Sequence, residues 1–139
     1  MKIILAADGS KFTRKAVAFL LNLEHWVHDP ANEIVVVNVQ IPVMVARSLI
    51  ASQLAVGYKA DAEAILQPVE RLLARHKVSC RAVWKVGYPA TEIVKLANKE
   101  GAQLIVMGTR GRSKLGRVFM GSVAQEVVNA STVPVVLIK

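Results

Sequence analysis

Leu104-Ile105-Val106-Met107-Gly108-Thr109-Arg110-Gly111, followed after nine residues by Gly121-Ser122, is the stretch that decides how this chain is read. An apolar run ends in glycine, a basic loop follows, and an amphipathic segment begins at Ser122. Strand, glycine loop and helix N-terminus in that order suit the binding of a phosphate chain. Glycine lets backbone approach a ligand closely and reach positive φ. A helix start offers unpaired N–H groups at the positive end of its macrodipole. The loop also gathers Arg110, Arg112, Lys114 and Arg117. A formal net charge of +8 admits nucleic acid, an anionic membrane, an anionic small ligand or only a solvated basic face. Its concentration in the loop favours a phosphate ligand. Aromatic residues make up 5% of the chain and do not interleave with basic ones, so a stacking platform for single strands is poorly supported.

Working outward, strand-like and helix-like segments alternate from end to end. Residues 2–7 form a continuous apolar run, as expected of a strand buried on both faces. Ser10 suits the N-cap of a helix through about residue 27, with Phe12, Ala16, Phe19, Leu20 and Leu23 at helical spacing. Residues 33–39 read as a second strand, stopped by Pro42. Residues 43–57 read as a loop running into helix, and a helix over 59–76 carries Pro68, which predicts a kink or interruption. Residues 78–86 read as a third strand, 89–99 as a helix with Pro89 in its first turn and Gly101 at its end. Residues 103–107 and 133–138 complete the strands, and Ser122–Gln125 matches a capping box opening the last helix. Five strands with intervening helices imply a parallel sheet covered on both faces. The length of 139 residues suits one domain, residues 1–139, with one core.

Ligands of open α/β sheets bind at the carboxyl ends of strands, where strand order reverses. The first strand ends in Asp8-Gly9-Ser10 and the fourth in the glycine loop. If these strands are neighbours at the reversal, Asp8 faces the loop across one crevice. It could then accept from a ribose hydroxyl or reach a phosphate-bound Mg²⁺; as a plain turn former it would only cap local backbone. A Walker A loop is absent, because Gly111 to Gly116 leads into Arg117-Val118, and so is the G-x-G-x-x-G fingerprint. His25 and His28 have metal-compatible spacing but no third ligand nearby, His76 sits at a helix end, and Trp84 reads as a packing residue. The lone cysteine, Cys80, excludes an internal disulfide and reads as a small buried apolar side chain. The apolar start stops at Asp8, too short for a secretory segment, and no run approaches the roughly 20 apolar residues that cross a bilayer. Cytoplasmic localisation is the expectation.

Over its full length the chain resembles single-domain universal stress proteins of the nucleotide-binding subgroup. The resemblance rests on KIILAADGS, VVVNV, VGYPATEIVKLA, MGTRGRS and GSVAQEVVNASTVPVVLIK. That family's ATP-binding signature, G-x2-G-x9-G-[ST], is matched by Gly108, Gly111, Gly121 and Ser122 without gaps. The resemblance implies a Rossmann-like open sheet of order 3-2-1-4-5. It implies that Ala6, Ala7 and Asp8 line an adenosine pocket, that Val39 contacts adenine through backbone and side chain, and that Met107 and Gly108 floor the site. Arg110, Gly111, Gly121, Ser122 and Val123 would hold phosphates through N–H groups and the Ser122 hydroxyl. The implied ligand is ATP, ADP or AMP, with Mg²⁺ or Mn²⁺ at the phosphates and Asp8. Homodimerisation through the last strand is implied too, involving Val133, Val135, Val136, Leu137 and Ile138. Tyr88 departs from the acidic or polar residue common before Pro89 in that family, which puts rim contacts in question.

These readings converge on an ATP-binding stress-response protein acting as a sensor or switch, the loop at 108–121 being its bistable element. Slow ATP hydrolysis or self-phosphorylation on Ser113 or Thr109 is the second reading, ranked lower because no dedicated base is identified. A dimerisation or partner-binding module with a structural nucleotide is the third. Nucleic acid ranks last.

Overall fold

The computed structural model describes residues 1–43, 51–111 and 120–139. Five strands, β1 (Lys2–Ala6), β2 (Glu33–Gln40), β3 (Cys80–Val86), β4 (Leu104–Gly108) and β5 (Val135–Ile138), form one parallel sheet in the order β3-β2-β1-β4-β5. Five helices accompany them: α1 (Lys11–Leu21), α2 (Glu24–Val27), α3 (Ala51–Arg75), α4 (Pro89–Glu100) and α5 (Ser122–Ala130).

The apolar run of β1 is explained by burial on both sides. Ile3 and Leu5 face a core completed by Val17 and Leu20 of α1 and by Leu66 and Leu73 of α3. Ile4 faces the opposite core, with Ile93 and Leu96 of α4 and Val127 of α5. Ile3, Ile4 and Leu5 are all fully buried, and burying such a side chain is worth about 1.5–3 kcal/mol.

Three local expectations need correction. The helix expected through residue 27 ends at Leu21. Leu23 leaves helical geometry at ψ 56°, and a separate turn, α2, restarts behind it and puts Val27 into the core. The helix expected from residue 59 begins by Ala51 and runs to Arg75 with Pro68 inside it and no interruption. Pro68 lies on the exposed face, where water can satisfy the carbonyl that loses its N–H partner. The last strand begins at Val135; Val133 belongs to a preceding turn, its N–H donating to Ser131 Oγ and its carbonyl accepting from the same hydroxyl. Residues 44–50, within the expected loop, lie outside the described residues.

Two strands form the sheet edges. β3 carries Arg81 and Lys85, whereas β5 is Val-Val-Leu-Ile throughout. At the amino ends of the strands, Lys2 pairs with Glu33 at 3.0 Å and Glu100 at 3.1 Å, and Arg81 reaches the same two carboxylates at 3.3 and 2.6 Å. These four charges tie β1, β2, β3 and the end of α4 together, at the end of the sheet remote from the site described next. No helix among the described residues is long and apolar enough to cross a membrane.

Candidate functional site

β1 and β4 pair only from Ile3–Leu104 to Leu5–Val106 and then diverge. Strand order reverses between them, so a crevice opens at their carboxyl ends. Its volume is about 500 Å³, within the range of small-molecule sites. Ala6, Ala7, Asp8, Val39, Met107, Gly108, Arg110, Gly111, Gly121, Ser122 and Val123 all line it. The structure thus brings together every residue the sequence nominated for the crevice, from β1, β2, β4 and the start of α5. Arg112, Ser113, Lys114 and Arg117 lie outside the described residues.

Asp8 does two things at once. Its Oδ1 accepts from Ser10 N–H at 2.9 Å and from the buried Thr13 hydroxyl at 2.9 Å, while Thr13 Oγ1 accepts from Asp8 N–H at 3.1 Å. That is the turn-forming role, and Gly9 at φ +78° completes the turn. Its Oδ2 has no hydrogen bond from a described residue and points at Gly111. One oxygen builds the turn; the other is left for the crevice. Ser10 also caps α1, accepting from Phe12 N–H at 3.2 Å.

Two of the signature glycines, Gly108 and Gly111, are glycine for reasons of space. None of Gly108, Gly111 and Gly121 has positive φ, contrary to the expectation from glycine's conformational range. A Cβ on Gly108 would collide with Phe12 in the first turn of α1, and one on Gly111 would lie 2.7 Å from Asp8 Oδ2. Gly121 has a third role. Its N–H donates to Thr109 O at 2.7 Å, fastening the two flanks of the loop. This corrects the expectation that the Gly121 amide is a phosphate donor, since that amide is already used.

The expected capping box is also absent. Gly121, not Ser122, is the N-cap of α5, and no side chain caps it. Gln125 N–H donates to Gly121 O, which leaves the first-turn amides of Ser122, Val123 and Ala124 without intrahelical partners. All three residues line the crevice. An uncapped helix start is a ready anion site, and Ser122 stands in its first turn with no hydrogen bond from its hydroxyl to a described residue.

On the other wall, backbone alternation along β2 exposes an edge. Val37 O accepts from Ala7 N–H, so Val37 faces β1; Gln40 O accepts from Gly87 N–H, so Gln40 faces β3. Val39 therefore turns its N–H and C=O toward the side of β1, beyond the last β1–β2 pair, Ala6–Val37. The side chains of Ile41, Pro89 and Ile93 supply an apolar surround.

Comparison with known proteins sets this geometry in a lineage. The model of the universal stress protein family matches residues 1–139. The chain belongs to the universal stress protein family. A universal stress protein of Methanocaldococcus jannaschii, MJ0531, is 32% identical over 99% of this chain and 81% of its own length. The solved structure of MJ0577, from the same organism, superposes with a TM-score of 0.85 at 25% identity, covering 99% of this chain and 94% of that one. The universal stress protein of Archaeoglobus fulgidus in complex with dAMP superposes at a TM-score of 0.72 over 100% of this chain and 98% of that one. At 20% identity that last likeness is one of fold.

As a universal stress protein, the chain has the strand order that the family resemblance implied. Tyr88, the departure from the family's common pattern, is 74% exposed and does not line the crevice, although its neighbour Pro89 does. Thr109 lines it but is only 5% exposed, a poor position for a phosphate acceptor. Asn38, Gln40, Ile41, Ile65 and Ile93 also line the crevice without having been nominated from sequence. The polar pair at 38 and 40, inside an otherwise apolar strand, was the signal available for two of them. Among the described residues no cluster of three metal-ligating side chains exists, and Asp8 is the one acidic residue among the described residues that line the crevice. His25 and His28 form no such cluster.

Proposed function

We propose that this universal stress protein binds an adenine nucleotide in the crevice between β1 and β4 and acts as a nucleotide-dependent sensor or switch. The observation that carries the reading is that one crevice holds the uncapped start of α5, an Asp8 Oδ2 with no hydrogen bond from a described residue, and the Val39 edge beyond the last β1–β2 pair. In this reading the phosphates meet the amides of Ser122 and Val123, the Ser122 hydroxyl and Arg110. Asp8 Oδ2 accepts from a ribose hydroxyl or assists a phosphate-bound Mg²⁺ or Mn²⁺; such a cation would neutralise phosphate charge. Val39 offers a donor and an acceptor side by side. Adenine presents the complementary acceptor, N1, and donor, N6, whereas guanine presents the reverse order. The nucleotide complexes known for other proteins of this fold, with dAMP in one and AMP in an Arabidopsis thaliana protein, support the choice of adenine.

A ligand can switch a protein only through different affinities for two states. The Gly121–Thr109 bond is a natural point of coupling, because phosphates at α5 pull on the same loop flanks that it joins. Homodimerisation through β5 belongs to this reading: the strand is a sheet edge without a charged residue, and an unprotected edge pairs readily. The test is titration calorimetry with AMP, ATP and GMP, combined with mass spectrometry of whatever co-purifies. Adenine nucleotides bind and GMP does not. Absence of binding, or binding indifferent to Asp8→Ala, refutes the reading.

A further inference from the structure

Asn38 sits in the middle of a strand that is otherwise built for burial, and it is 3% exposed. A buried amide costs free energy unless its groups are paired, and here both ends are. Nδ2 donates to Ala7 O at 2.8 Å, and Oδ1 accepts from Gln40 Nε2 at 2.6 Å. A backbone carbonyl can only accept, so the partner fixes which end of the amide faces Ala7.

Ala7 O is the acceptor the sheet would use next. Ala7 N–H already donates to Val37 O at 2.8 Å. In a parallel ladder the residue that donates to position 37 accepts from position 39. Ala7 and Val39 do not make that bond; β1 ends at Ala6, and the final β1–β2 pair is Ala6–Val37. The Asn38 side chain occupies the carbonyl instead. We propose that Asn38 is a positioning residue: by taking Ala7 O it ends the β1–β2 ladder one bond early and holds the Val39 N–H and C=O free for a nucleobase. Gln40 locks the Asn38 amide in the orientation this requires.

The base-reading part of this inference rests on the function proposed above; the ladder-ending part stands without any ligand. Amide hydrogen exchange read by NMR on the unliganded protein tests the latter. In the unaltered protein the Val39 amide exchanges fast while Val37, inside the ladder, is protected. In Asn38→Ala the Val39 N–H moves onto Ala7 O and its exchange slows by about tenfold or more, the size of one added hydrogen bond. A protected Val39 amide in the unaltered protein overturns the proposal even if every variant fails to fold. Unchanged Val39 exchange in a folded Asn38→Ala protein overturns it as well. Calorimetry then addresses the base. AMP binding to Asn38→Ala weakens by about tenfold, and the preference for AMP over IMP, whose hypoxanthine edge is reversed, shrinks. Ribose 5-phosphate binding stays unchanged. If exchange behaves as expected but the AMP-to-IMP ratio does not move, the role in base selection is refuted. If no nucleotide binds at all, the proposed function falls while the exchange result still decides what Asn38 does.

Discussion

Gly111→Ala is the sharpest probe of how the crevice is built. The added methyl would lie 2.7 Å from Asp8 Oδ2, closer than carbon and oxygen approach without a shift. Asp8 cannot yield freely, because its other oxygen is held by Ser10 N–H and the Thr13 hydroxyl, each at 2.9 Å. Swinging the carboxylate away gives up one or both bonds, each worth about 1.5–3 kcal/mol net for a charged acceptor. Because Asp8 is half-buried, water recovers part of that loss. The expected destabilisation is about 1–3 kcal/mol, and with a urea dependence of about 1–3 kcal/mol per molar the midpoint falls by on the order of 1 M. The assay is a double-mutant cycle by urea denaturation with Asp8→Ala. Once the carboxylate is gone the methyl has nothing to strike, so Gly111→Ala in that background costs close to nothing. Strict additivity of the two substitutions, or a Gly111→Ala protein as stable as the parent, would refute the claim that glycine is needed there to accommodate Asp8.

Three further outcomes follow from the same geometry. A Cβ on Gly121 meets only ordinary contacts, 3.4 Å to Thr109 O and 3.5 Å to Arg110 Cα, so Gly121→Ala keeps its melting temperature. Gly121→Leu, whose bulk must enter the crevice, keeps the fold but loses nucleotide affinity by calorimetry. The ion pairs with Lys2 and Arg81 lower the pKa of both Glu33 and Glu100. Depressed carboxylate pKa values contribute stability above the ordinary value of 4.5 that is lost as pH falls through the folded value. Thermal melts across acid pH show this decline, and Glu100→Gln flattens it. On β5, Ile138 O accepts from Thr109 N–H and Pro134 O from Ile105 N–H, so even-numbered residues face β4 and the Leu137 N–H faces outward. Leu137→Pro therefore removes a donor only an edge partner could use and yields a folded monomer by analytical ultracentrifugation, whereas Val136→Pro breaks the sheet and unfolds the chain.

What was legible in the sequence, and what was not, divides along a physical line. Alternation of apolar runs with amphipathic segments reports burial, and burial alone was enough to reach a parallel sheet covered on both faces. The buried faces of β1 and the helical spacing of Ala16 and Leu20, both fully buried, could be read directly because each side chain reports its own environment. The reason for a glycine is different in kind. At Gly108 and Gly111 it is set by Phe12 and Asp8, residues about a hundred positions away that only the β1–β4 neighbourhood brings close, so a reading confined to the loop reached for φ instead. Ser122 matched a capping box by residue type, yet the Gly121–Thr109 bond draws the cap back one residue. Asn38 passed as one residue of the second strand, because its meaning depends on a carbonyl in another strand. Asp8 shows the line most clearly. Its two sequence readings, turn former and ligand group, were rivals only while a carboxylate was treated as one object. Folded, Oδ1 builds the turn and thereby aims Oδ2, so the local role is the means by which the residue becomes available for the remote one.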